Sequence, residues 1–343
     1  MFEAGRRGLR LLLALANNWD AYGGAPAYMS WAAASGEAVP PASAPDASPF
    51  FSSPFCKAAY KAHVATVLNR VNTLTGVAYK DEPAIFGFDL INEPRVPADP
   101  SGDTLQAWTE EMAAHFKSID RNHLLTTGAE GFYGASTPAL LPDNPAGDSS
   151  NGVDFVRNHL VDGIDFATIH VWPDQWLQCC TADCLLPFLR QWLTGHIDAA
   201  GGINKPLLVE EFGAKMRCQP AGESGSAGSS AQYPGASAGR RMLADKPSSA
   251  PPPAPSQQLL LRAEMYHMIY SNGHAAAKAG QAFGGSLFWL LGINGQPDAD
   301  QYSVYLPQDT ETAALIAEHV SSMRLLDTAP IVTAVAADDG GAP

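Results

Sequence analysis

Two glutamates that directly follow apolar stretches are the residues of this sequence best placed to do chemistry. Glu93 lies in the triplet Asn-Glu-Pro after the apolar run 85–91, and the proline holds the backbone beside the carboxylate. Glu211 lies in the triplet Glu-Phe-Gly at the end of the run 207–211. Two facing carboxyl groups can cleave a glycosidic bond, one as the acid and the other as base or nucleophile. Either glutamate alone is also explained by a surface ion pair, but the two together favour catalysis.

Six short apolar runs are predicted strands, and polar or aromatic residues lie at the carboxyl end of each. The predicted strands are Leu9–Ala16, Ile85–Ile91, Leu124–Gly128, Phe166–Val171, Leu207–Glu211 and Ser286–Leu291. The residues at their carboxyl ends are Asn17, Asn18, Asn92, Glu93, Glu130, His170, Glu210, Glu211 and Trp289. This placement is what the active site of a (β/α)8 barrel requires. A doubly wound open sheet also binds ligands there, but no glycine-rich phosphate loop follows a strand in this sequence.

Amphipathic stretches separate these runs and predict helices, which together indicate an α/β fold with a parallel sheet. The predicted helices are Tyr60–Leu74, Leu105–Ile119, Leu185–Ile197, Leu259–Ala279 and Thr312–Leu325. Ser35–Ser53 is rich in Ala, Pro and Ser and predicts a loop. Gln219–Gln258 predicts a disordered insertion between a strand and its helix. One catalytic barrel is expected over residues 1–335, followed by a tail over 336–343.

The charge balance and the hydropathy pattern exclude several classes of function. The 343 residues include 35 acidic and 21 basic side chains, so the net charge is −14. Nucleic acid is not an expected partner, because its recognition needs clustered Lys and Arg. No apolar run approaches the roughly 20 residues of a membrane span, so no membrane partner is expected. The basic residues before Leu11–Ala16 resemble the start of a signal peptide, but no cleavage site follows, and a buried strand is the better interpretation.

Motifs spread over most of the chain carry a resemblance to a known family. They are Gly8–Asn18, Arg70–Thr73, Tyr79–Pro83, Asp89–Arg95, Thr104–Gln106, Glu111–Ala114, Lys117–Asp120, Gly131–Gly134, Gly163–His170 and Pro173–Leu177. From Gly8 to about Leu326 the chain resembles glycoside hydrolase family 5, and most closely its plant-type endo-β-1,4-mannanases. The resemblance implies a retaining enzyme that hydrolyses internal bonds of mannan, glucomannan and galactomannan. It also implies a secreted monomer that needs no cofactor and no metal.

The resemblance implies a role for each of several residues in the predicted site. Glu93 resembles the acid/base and Glu211 the nucleophile, and a separation of about 5 Å is expected for a retaining pair. The pKa of Glu93 is then expected to be the higher of the two. Asn92 resembles the residue that bonds the sugar 2-hydroxyl, and His170 resembles a histidine beside the carboxylates. Strand alternation predicts that only one of Glu210 and Glu211 points into the barrel.

Aromatic residues near the strand ends are predicted to form a floor on which sugar rings stack. They are Trp19, Trp172, Trp176 and Trp289. Trp289 resembles the family's platform under the reacting sugar. Trp172 stands where many relatives carry a tyrosine that bonds the nucleophile. Trp108 and Trp192 lie in helical patterns, and a structural role is predicted for both.

The match of Gly8–Asn18 to the family's third barrel strand carries a further implication. We expect about six βα units, with the first two units and an arginine of the second strand absent. The first and sixth strands would then be exposed edges, and the chain expressed alone would be aggregation-prone and nearly inactive. The same chain with an extension that supplies two strands and that arginine is expected to hydrolyse mannan. An inactive, truncated carbohydrate-binding remnant is therefore one alternative function. A family 5 enzyme that acts on β-1,4-glucan is another.

The five cysteines are too few for a disulfide scaffold, and the odd number leaves at least one unpaired within the chain. Cys179, Cys180 and Cys184 follow the His170 strand, and Cys218 follows the Glu211 strand. Neighbouring barrel loops can bring these groups together, so a disulfide to Cys218 is expected. The spacing matches no standard zinc pattern. Cys56 is predicted to be a lone thiol on a helix face.

Overall fold

Short parallel strands form the centre of the fold in the computed structural model, which describes residues 1–39, 46–177, 179–215, 255–296, 298, 300–306 and 308–327. The strands in the described part of the chain are β1 (Leu11–Ala14), β2 (Ile85–Asp89), β3 (Leu124–Thr126), β4 (Ala167–Val171), β5 (Leu207–Phe212) and β6 (Phe283–Ser286). Each lies within or beside a predicted apolar run, because residues that are apolar on both faces are stable only in a covered sheet.

The strands lie side by side in chain order. They form two parallel sheets, β1-β2-β3 and β4-β5-β6. The two sheets meet along β3 and β4, where the N–H of Asp165 donates to the Leu125 carbonyl at 2.8 Å. Within the described ranges, β1 and β6 lie at the two ends of this order, so they are its outer edges. All carboxyl ends therefore open on the same side.

Helices pack on the outside of the sheets and follow the strands in the chain. The described α-helices are α1 (Phe2–Arg6), α2 (Ala25–Ala34), α3 (Ser48–Ser52), α4 (Pro54–Asn69), α5 (Asp103–Ile119), α6 (Phe155–His159), α7 (Pro173–Trp176), α8 (Ala182–Gly202), α9 (Pro255–Lys278) and α10 (Thr310–Asp327). Helix α4 packs against α2, α3 and α5, and α9 packs between α8 and α10. The five predicted helices are thus confirmed as α4, α5, α8, α9 and α10, with shifted ends. None of the described helices is long and apolar enough to cross a bilayer.

One helix prediction and one loop prediction need correction. Helix α4 ends at Asn69 instead of continuing to Leu74, and Leu74 is 73% exposed. Arg70 adopts an extended conformation and ends the helix, so the apolar spacing continues beyond it by coincidence. The segment predicted as a loop contains α3, whose Phe50 and Phe51 are buried against Trp108. The packing of those two aromatic rings stabilises the short helix, although the surrounding Ala-, Pro- and Ser-rich composition is typical of a loop.

The sixth strand also differs from its prediction. It lies at Phe283–Ser286 and ends where the predicted strand begins. Gly284 and Gly285 lie within it, and glycine has a low strand propensity, which explains the miss. The backbone still follows β5 beyond the strand, because the Trp289 N–H donates to the Phe212 carbonyl at 2.8 Å.

The cysteines and the core agree with the sequence in part. Cys179 and Cys184 form a disulfide, and Cys56 is a free buried thiol, as predicted. Trp108 and Trp192 are each 1% exposed, which confirms their structural role. The predictions for Cys218, for the tail and for the insertion up to residue 254 lie outside the described residues, whereas residues 255–258, predicted as the end of the insertion, already belong to α9. The single domain over 1–335 stays a prediction.

His159 is a buried neutral histidine whose protonation is expected to destabilise the fold. Its Nδ1 donates to the Phe155 carbonyl, and its Nε2 accepts from the Thr127 hydroxyl and the Thr168 N–H. Burial lowers the pKa of His159 from 6.5 to about 4. The unfolded chain therefore binds a proton in this range that the folded chain does not, and stability falls as the pH drops. We expect the protonation of His159 to lower the free energy of unfolding by about 3 kcal/mol as the pH falls from about 7 to about 4.

Urea unfolding at several pH values between about 7 and 4 measures this effect. The comparison is His159→Gln, in which the amide still donates to Phe155 but does not titrate. The stability advantage of the parent over this variant is expected to shrink as the pH falls. An equal pH dependence in the two proteins would contradict the prediction.

Candidate active site

Glu93 is held at the carboxyl end of β2 by the approach of the neighbouring strand. Its N–H donates to the Gly128 carbonyl at 2.8 Å, and its φ of 52° lies in the left-handed region. A Cβ atom on Gly128 would meet the Ile91 carbonyl at 2.3 Å, so only glycine allows the two strand ends to come this close. A non-glycine residue at such a φ costs of order 1–3 kcal/mol, and such residues cluster at functional sites.

His170 lies between the two predicted catalytic glutamates. Its Nδ1 is 2.9 Å from Oε1 of Glu93 and 3.4 Å from Oε2 of Glu211. One oxygen of each carboxylate and a ring nitrogen of His170 all lie within 4.8 Å of one another. The side chain of His170 is 0% exposed, while those of Glu93 and Glu211 are 9% and 19% exposed. The fold therefore brings these three residues together in one largely buried cluster.

A β-bulge places two consecutive glutamates in this cluster. The register between β4 and β5 shifts after Ile169, so that His170 pairs with Glu211. Glu210 also contacts His170, with its Oε2 at 3.7 Å from Nε2. The prediction that only one of Glu210 and Glu211 faces inward is therefore wrong. A bulge adds one residue to a strand and interrupts the alternation of side chains on which the prediction depended.

The carboxylate of Glu93 is contacted by two hydrogen-bond donors. Its Oε2 accepts from the Trp19 indole N–H at 2.5 Å, and its Oε1 contacts His170. Burial raises the pKa of Glu93, but the hydrogen bond and charge of His170, the charge of Arg95 and the Trp19 hydrogen bond together hold it below its usual value. Glu93 is therefore the more readily ionised carboxyl of the two in the free protein.

Glu211 lies in the opposite electrostatic environment. Burial raises the pKa of Glu211 to about 8; the charge of His170 opposes this rise, and the carboxylates of Glu93, Glu210 and Glu130 add to it. Within the described part of the chain, His170 is the cationic group in contact with its carboxylate. The two pKa values diverge as the sequence predicted, but their order is reversed. The cause is the set of donors on Glu93, which the sequence could not reveal.

A largely buried arginine lies on the Glu93 side of the site. Arg95 forms two hydrogen bonds of 2.6 Å to the carboxylate of Glu130. Its guanidinium lies 5.4 Å from the centre of the Trp19 ring and 5.0 Å from that of Phe132. The guanidinium of Arg95 therefore lies over the ring of Trp19, while the indole N–H of Trp19 donates a hydrogen bond to Glu93. The predicted contact of Trp19 with a sugar stays a prediction.

Asn92 lies beside Glu93 and is fixed by the first strand. Its side-chain amide donates to Oδ1 of Asn17 at 3.2 Å, and its N–H donates to the Ala16 carbonyl at 3.0 Å. The side chain is half-buried at the mouth of the cluster. This position agrees with the predicted bond to a sugar 2-hydroxyl, which stays a prediction.

Two of the predicted aromatic residues lie on the far side of the cluster, near the carboxyl ends of β4 and β6. Trp289 is half-buried, and its indole N–H donates to Asp300 at 2.9 Å. Trp172 is 5% exposed and packs edge-on against Tyr302, with ring centres 4.9 Å apart. Trp172 therefore offers little surface to a sugar, because its neighbours cover it. The half-buried ring of Trp289 is the better candidate for a platform.

Trp176 lies in an aromatic cluster on α7 instead of at the carboxylates. Its ring centre is 5.4 Å from those of Phe132 and Trp192, and 6.1 Å from that of Phe188. The residue is half-buried and packs against the core. The structure thus gives Trp176 a packing role, since it is the last residue of the short helix α7 and its ring packs against Phe188 and Trp192 of α8.

Several residues of the site were not predicted from the sequence. They are Asp89, Arg95, Asp300 and Tyr302, while Glu130 and Glu210 were placed at strand ends without a role. Arg95 was within reach of sequence reasoning, because it follows Glu93 by two residues inside a matched motif. Asp300 and Tyr302 carry no comparable signal, since they come from an irregular segment after β6.

Replacing Arg95 is expected to destabilise the protein strongly. The change Arg95→Met keeps the aliphatic stem between the two rings but leaves Glu130, whose side chain is 1% exposed, without its counter-charge. Breaking a buried ion pair on one side costs about 3–5 kcal/mol. Urea or thermal unfolding measures the loss. The control is Arg157→Met, because the pair of Arg157 with Asp103 is exposed and worth at most about 1 kcal/mol. Equal losses for the two variants would contradict the prediction.

The donor atoms of the cluster favour proton chemistry. Burial lowers the pKa of His170, but the carboxylates of Glu211, Glu210 and Glu93 outweigh it and hold that pKa well above its ordinary value. An imidazolium has no lone pair with which to bind a cation. Two carboxyl groups bridged by an imidazolium, at the carboxyl ends of parallel strands, define the site of a glycoside hydrolase.

The comparison with family models agrees with this class. A family described as GH family 5 beta-mannosidase-like matches residues 1–310. The chain belongs to this family. Its match extends over β1 to β6 and includes Glu93, His170 and Glu211.

Curated plant proteins are similar over nearly the whole chain. Mannan endo-1,4-beta-mannosidase 7 of Arabidopsis thaliana is 38% identical over 326 residues, which cover 94% of this chain and 66% of that protein. Mannan endo-1,4-beta-mannosidase 1 of Oryza sativa subsp. japonica is 39% identical over 330 residues, which cover 95% of this chain and 67% of that protein. The chain thus spans about two thirds of the length of these two relatives.

Solved structures share the fold. The hyperthermostable endo-1,4-beta-D-mannanase from Thermotoga petrophila RKU-1 superimposes with a TM-score of 0.68 at 24% identity, covering 93% of this chain and 77% of that one. A second structure, of an endo-beta-1,4-mannanase from Thermotoga petrophila, superimposes with a TM-score of 0.68 at 26% identity. The match covers 95% of this chain and 60% of that one.

Proposed function

We propose that this chain hydrolyses internal β-1,4-mannosidic bonds of mannan, glucomannan and galactomannan. The observation that carries the proposal is the contact of both Glu93 and Glu211 with one nitrogen of His170. The names of the plant and bacterial relatives, all mannan-cleaving enzymes, support mannan as the substrate class. The family match supports the same reaction type.

The mechanism follows from the placement of the two carboxyl groups. Glu211 attacks the anomeric carbon while Glu93 protonates the leaving oxygen, which gives a covalent glycosyl-enzyme. Glu93 then removes a proton from water, which attacks the same carbon and releases the product with its configuration retained. Retaining pairs lie about 5–5.5 Å apart, and inverting pairs at about 6.5–9.5 Å. Carboxylate oxygens within 4.8 Å of each other favour retention.

The mechanism assigns the other residues of the site by position. Asn92 bonds the sugar beside Glu93, and the half-buried ring of Trp289 supports the reacting sugar from below. An aromatic ring is suited to this role because pyranose rings present apolar C–H faces. We assign no cofactor and no metal to the reaction, since acid, base and nucleophile are all side chains.

We also propose that the six strands occupy consecutive positions of an eight-stranded (β/α)8 barrel. Their parallel arrangement in chain order, the helices between them and the functional residues at their carboxyl ends all support this. The fold shared with the solved mannanases supports it as well. Secretion is part of the proposal too, because the disulfide Cys179–Cys184 is of the kind that forms in oxidising compartments.

Hydrolysis of soluble galactomannan, measured by reducing-sugar release, tests the proposed function. Carboxymethylcellulose serves as the competing substrate, and a β-1,4-glucanase would prefer it. Proton NMR of the first products distinguishes retained from inverted configuration. A folded protein that binds mannan without cleaving it would instead indicate a carbohydrate-binding remnant and would overturn the proposal.

A further inference from the structure

A third carboxylate lies behind His170, on the side of the imidazole away from Glu93. Oε2 of Glu210 is 3.7 Å from Nε2 of His170, and neither atom has a hydrogen-bond partner within the described residues. Glu210 is 9% exposed and His170 is 0% exposed, so water screens the pair poorly. A charge at this depth is costly unless a counter-charge accompanies it. The mechanism proposed above makes no use of Glu210.

Asp89 on β2 completes this arrangement. Burial, followed by the charge and hydrogen bond of Glu210, holds the pKa of Asp89 well above its usual value, so Asp89 keeps its proton and donates a hydrogen bond to Glu210. Burial opposes the ionisation of Glu210, but the positive charge of His170 at 3.7 Å and the hydrogen bond from Asp89 hold the pKa of Glu210 below its usual value. Asp89 is therefore neutral, Glu210 negative and His170 positive.

The bulge in β5 is the reason that Glu210 reaches this position. In a regular strand, Glu210 and Glu211 would face opposite sides of the sheet. The extra residue lets Glu211 contact Nδ1 of His170 while Glu210 contacts Nε2. Bulges next to active sites commonly redirect one side chain in this way.

We propose that Glu210 is a positioning residue that holds His170 as an imidazolium, with its Nδ1–H directed between Glu93 and Glu211. This inference rests on the proposed function, because the imidazolium serves the two catalytic carboxyls. The contacts at 2.9 Å and 3.4 Å on one side and 3.7 Å on the other are the geometric basis. Asp89 supports Glu210 and does not touch the reacting groups.

The consequence concerns where the proton of the catalytic pair resides. In the free protein the raised pKa of Glu211 keeps the proton on the nucleophile, whereas catalysis needs it on Glu93. His170 can give its Nδ1 proton to Glu93 and take the proton of Glu211 at the same nitrogen. The imidazolium is restored and the total charge is unchanged.

Other titratable groups also surround His170, and the test must separate Glu210 from them. From β2 and the residues after it come Asp89, Glu93 and Arg95, from the segment after β3 comes Glu130, and from β5 come Glu210 and Glu211, with His159 behind Glu210. Arg95 forms its ion pair with Glu130. Glu210 is the carboxylate that faces Nε2.

The variant Glu210→Gln removes this charge and keeps the shape of the side chain. Removing a neighbouring negative charge makes the remaining protons of the cluster easier to lose. We therefore expect the pKa of His170, followed by nitrogen NMR of histidine-labelled protein, to fall by about 1 to 3 pH units. Both limbs of the kcat/KM profile on mannan are expected to move towards acid pH.

Two further variants separate charge from structure. Asp89→Asn removes no charge, because Asp89 is protonated, so the pH limbs are expected to stay in place. Glu82→Gln is the control for replacing a buried glutamate elsewhere, since Glu82 is 6% exposed and bonds the Ala84 N–H at the opposite end of β2. It is expected to leave the His170 titration unchanged.

The outcomes distinguish this inference from the proposed function. A Glu210→Gln protein with an unmoved His170 titration overturns the inference, even if mannan is hydrolysed. The inference is also overturned if Asp89→Asn shifts the limbs of the kcat/KM profile and Glu210→Gln does not. The parent protein gives an independent reading if Glu210→Gln does not fold. A neutral His170 ring in that protein at about pH 6.5, the ordinary histidine pKa, overturns the inference without any variant.

Discussion

Glu211→Gln is expected to abolish mannan hydrolysis, with a loss in kcat of about 10⁴-fold, comparable to the removal of one member of a catalytic triad. The glutamine amide cannot form the glycosyl-enzyme, so the reaction loses its first step. Stability is not expected to fall. Burial and the carboxylates of Glu93, Glu210 and Glu130 raise the pKa of Glu211 to about 8, so its carboxyl is uncharged at neutral pH and a neutral amide of the same shape replaces it at little cost.

Kinetics on galactomannan and a thermal melt of the same preparation measure both effects. The control is Glu264→Gln, because Glu264 is exposed on α9 and far from the cluster. A Glu211→Gln protein that retains more than a few per cent of the activity would contradict the assignment of the nucleophile. A lower melting temperature with unchanged kinetics would point to a structural role instead.

Glu93→Gln is expected to reduce hydrolysis of mannan by about 10²- to 10⁴-fold, the usual contribution of general acid–base catalysis. The loss should depend on the leaving group. A sugar leaving group must be protonated, whereas a nitrophenolate leaves without a proton, so the first step on an activated aryl mannoside should be nearly unaffected. The basic limb of the pH profile should also disappear, because it reports the loss of the one proton that the pair of Glu93 and Glu211 shares.

Comparison of galactomannan with an aryl β-mannoside substrate measures this difference. Burst kinetics on the aryl substrate should show an accumulated glycosyl-enzyme, because the second step still lacks its base. Equal losses on both substrates would indicate that Glu93 acts through the structure and not as the acid. Trp19→Phe is the matched probe of the Glu93 environment, since it removes the 2.5 Å hydrogen bond and keeps the ring beside Arg95.

The two glutamates illustrate why the order of the pKa values was beyond the sequence. Their identities and their places after strands were readable from short motifs, because chain order fixes which strand end carries which residue. The donors that act on them come from distant segments: Trp19 is 74 residues from Glu93, and His170 is 77 residues from it. A pKa depends on such distances and on burial, and neither is a property of local sequence.

The sequence by itself determined the strand order, most helices and the pairing of Glu93 with Glu211. Hydrophobic periodicity is local, and parallel strands necessarily gather their carboxyl ends on one side. The tertiary structure alone decided the bulge that turns Glu210 towards His170, the packing that covers Trp172, and the pair of Arg95 with Glu130. These features depend on register and close packing between distant segments. A shift of one residue changes them without changing the pattern of apolar residues.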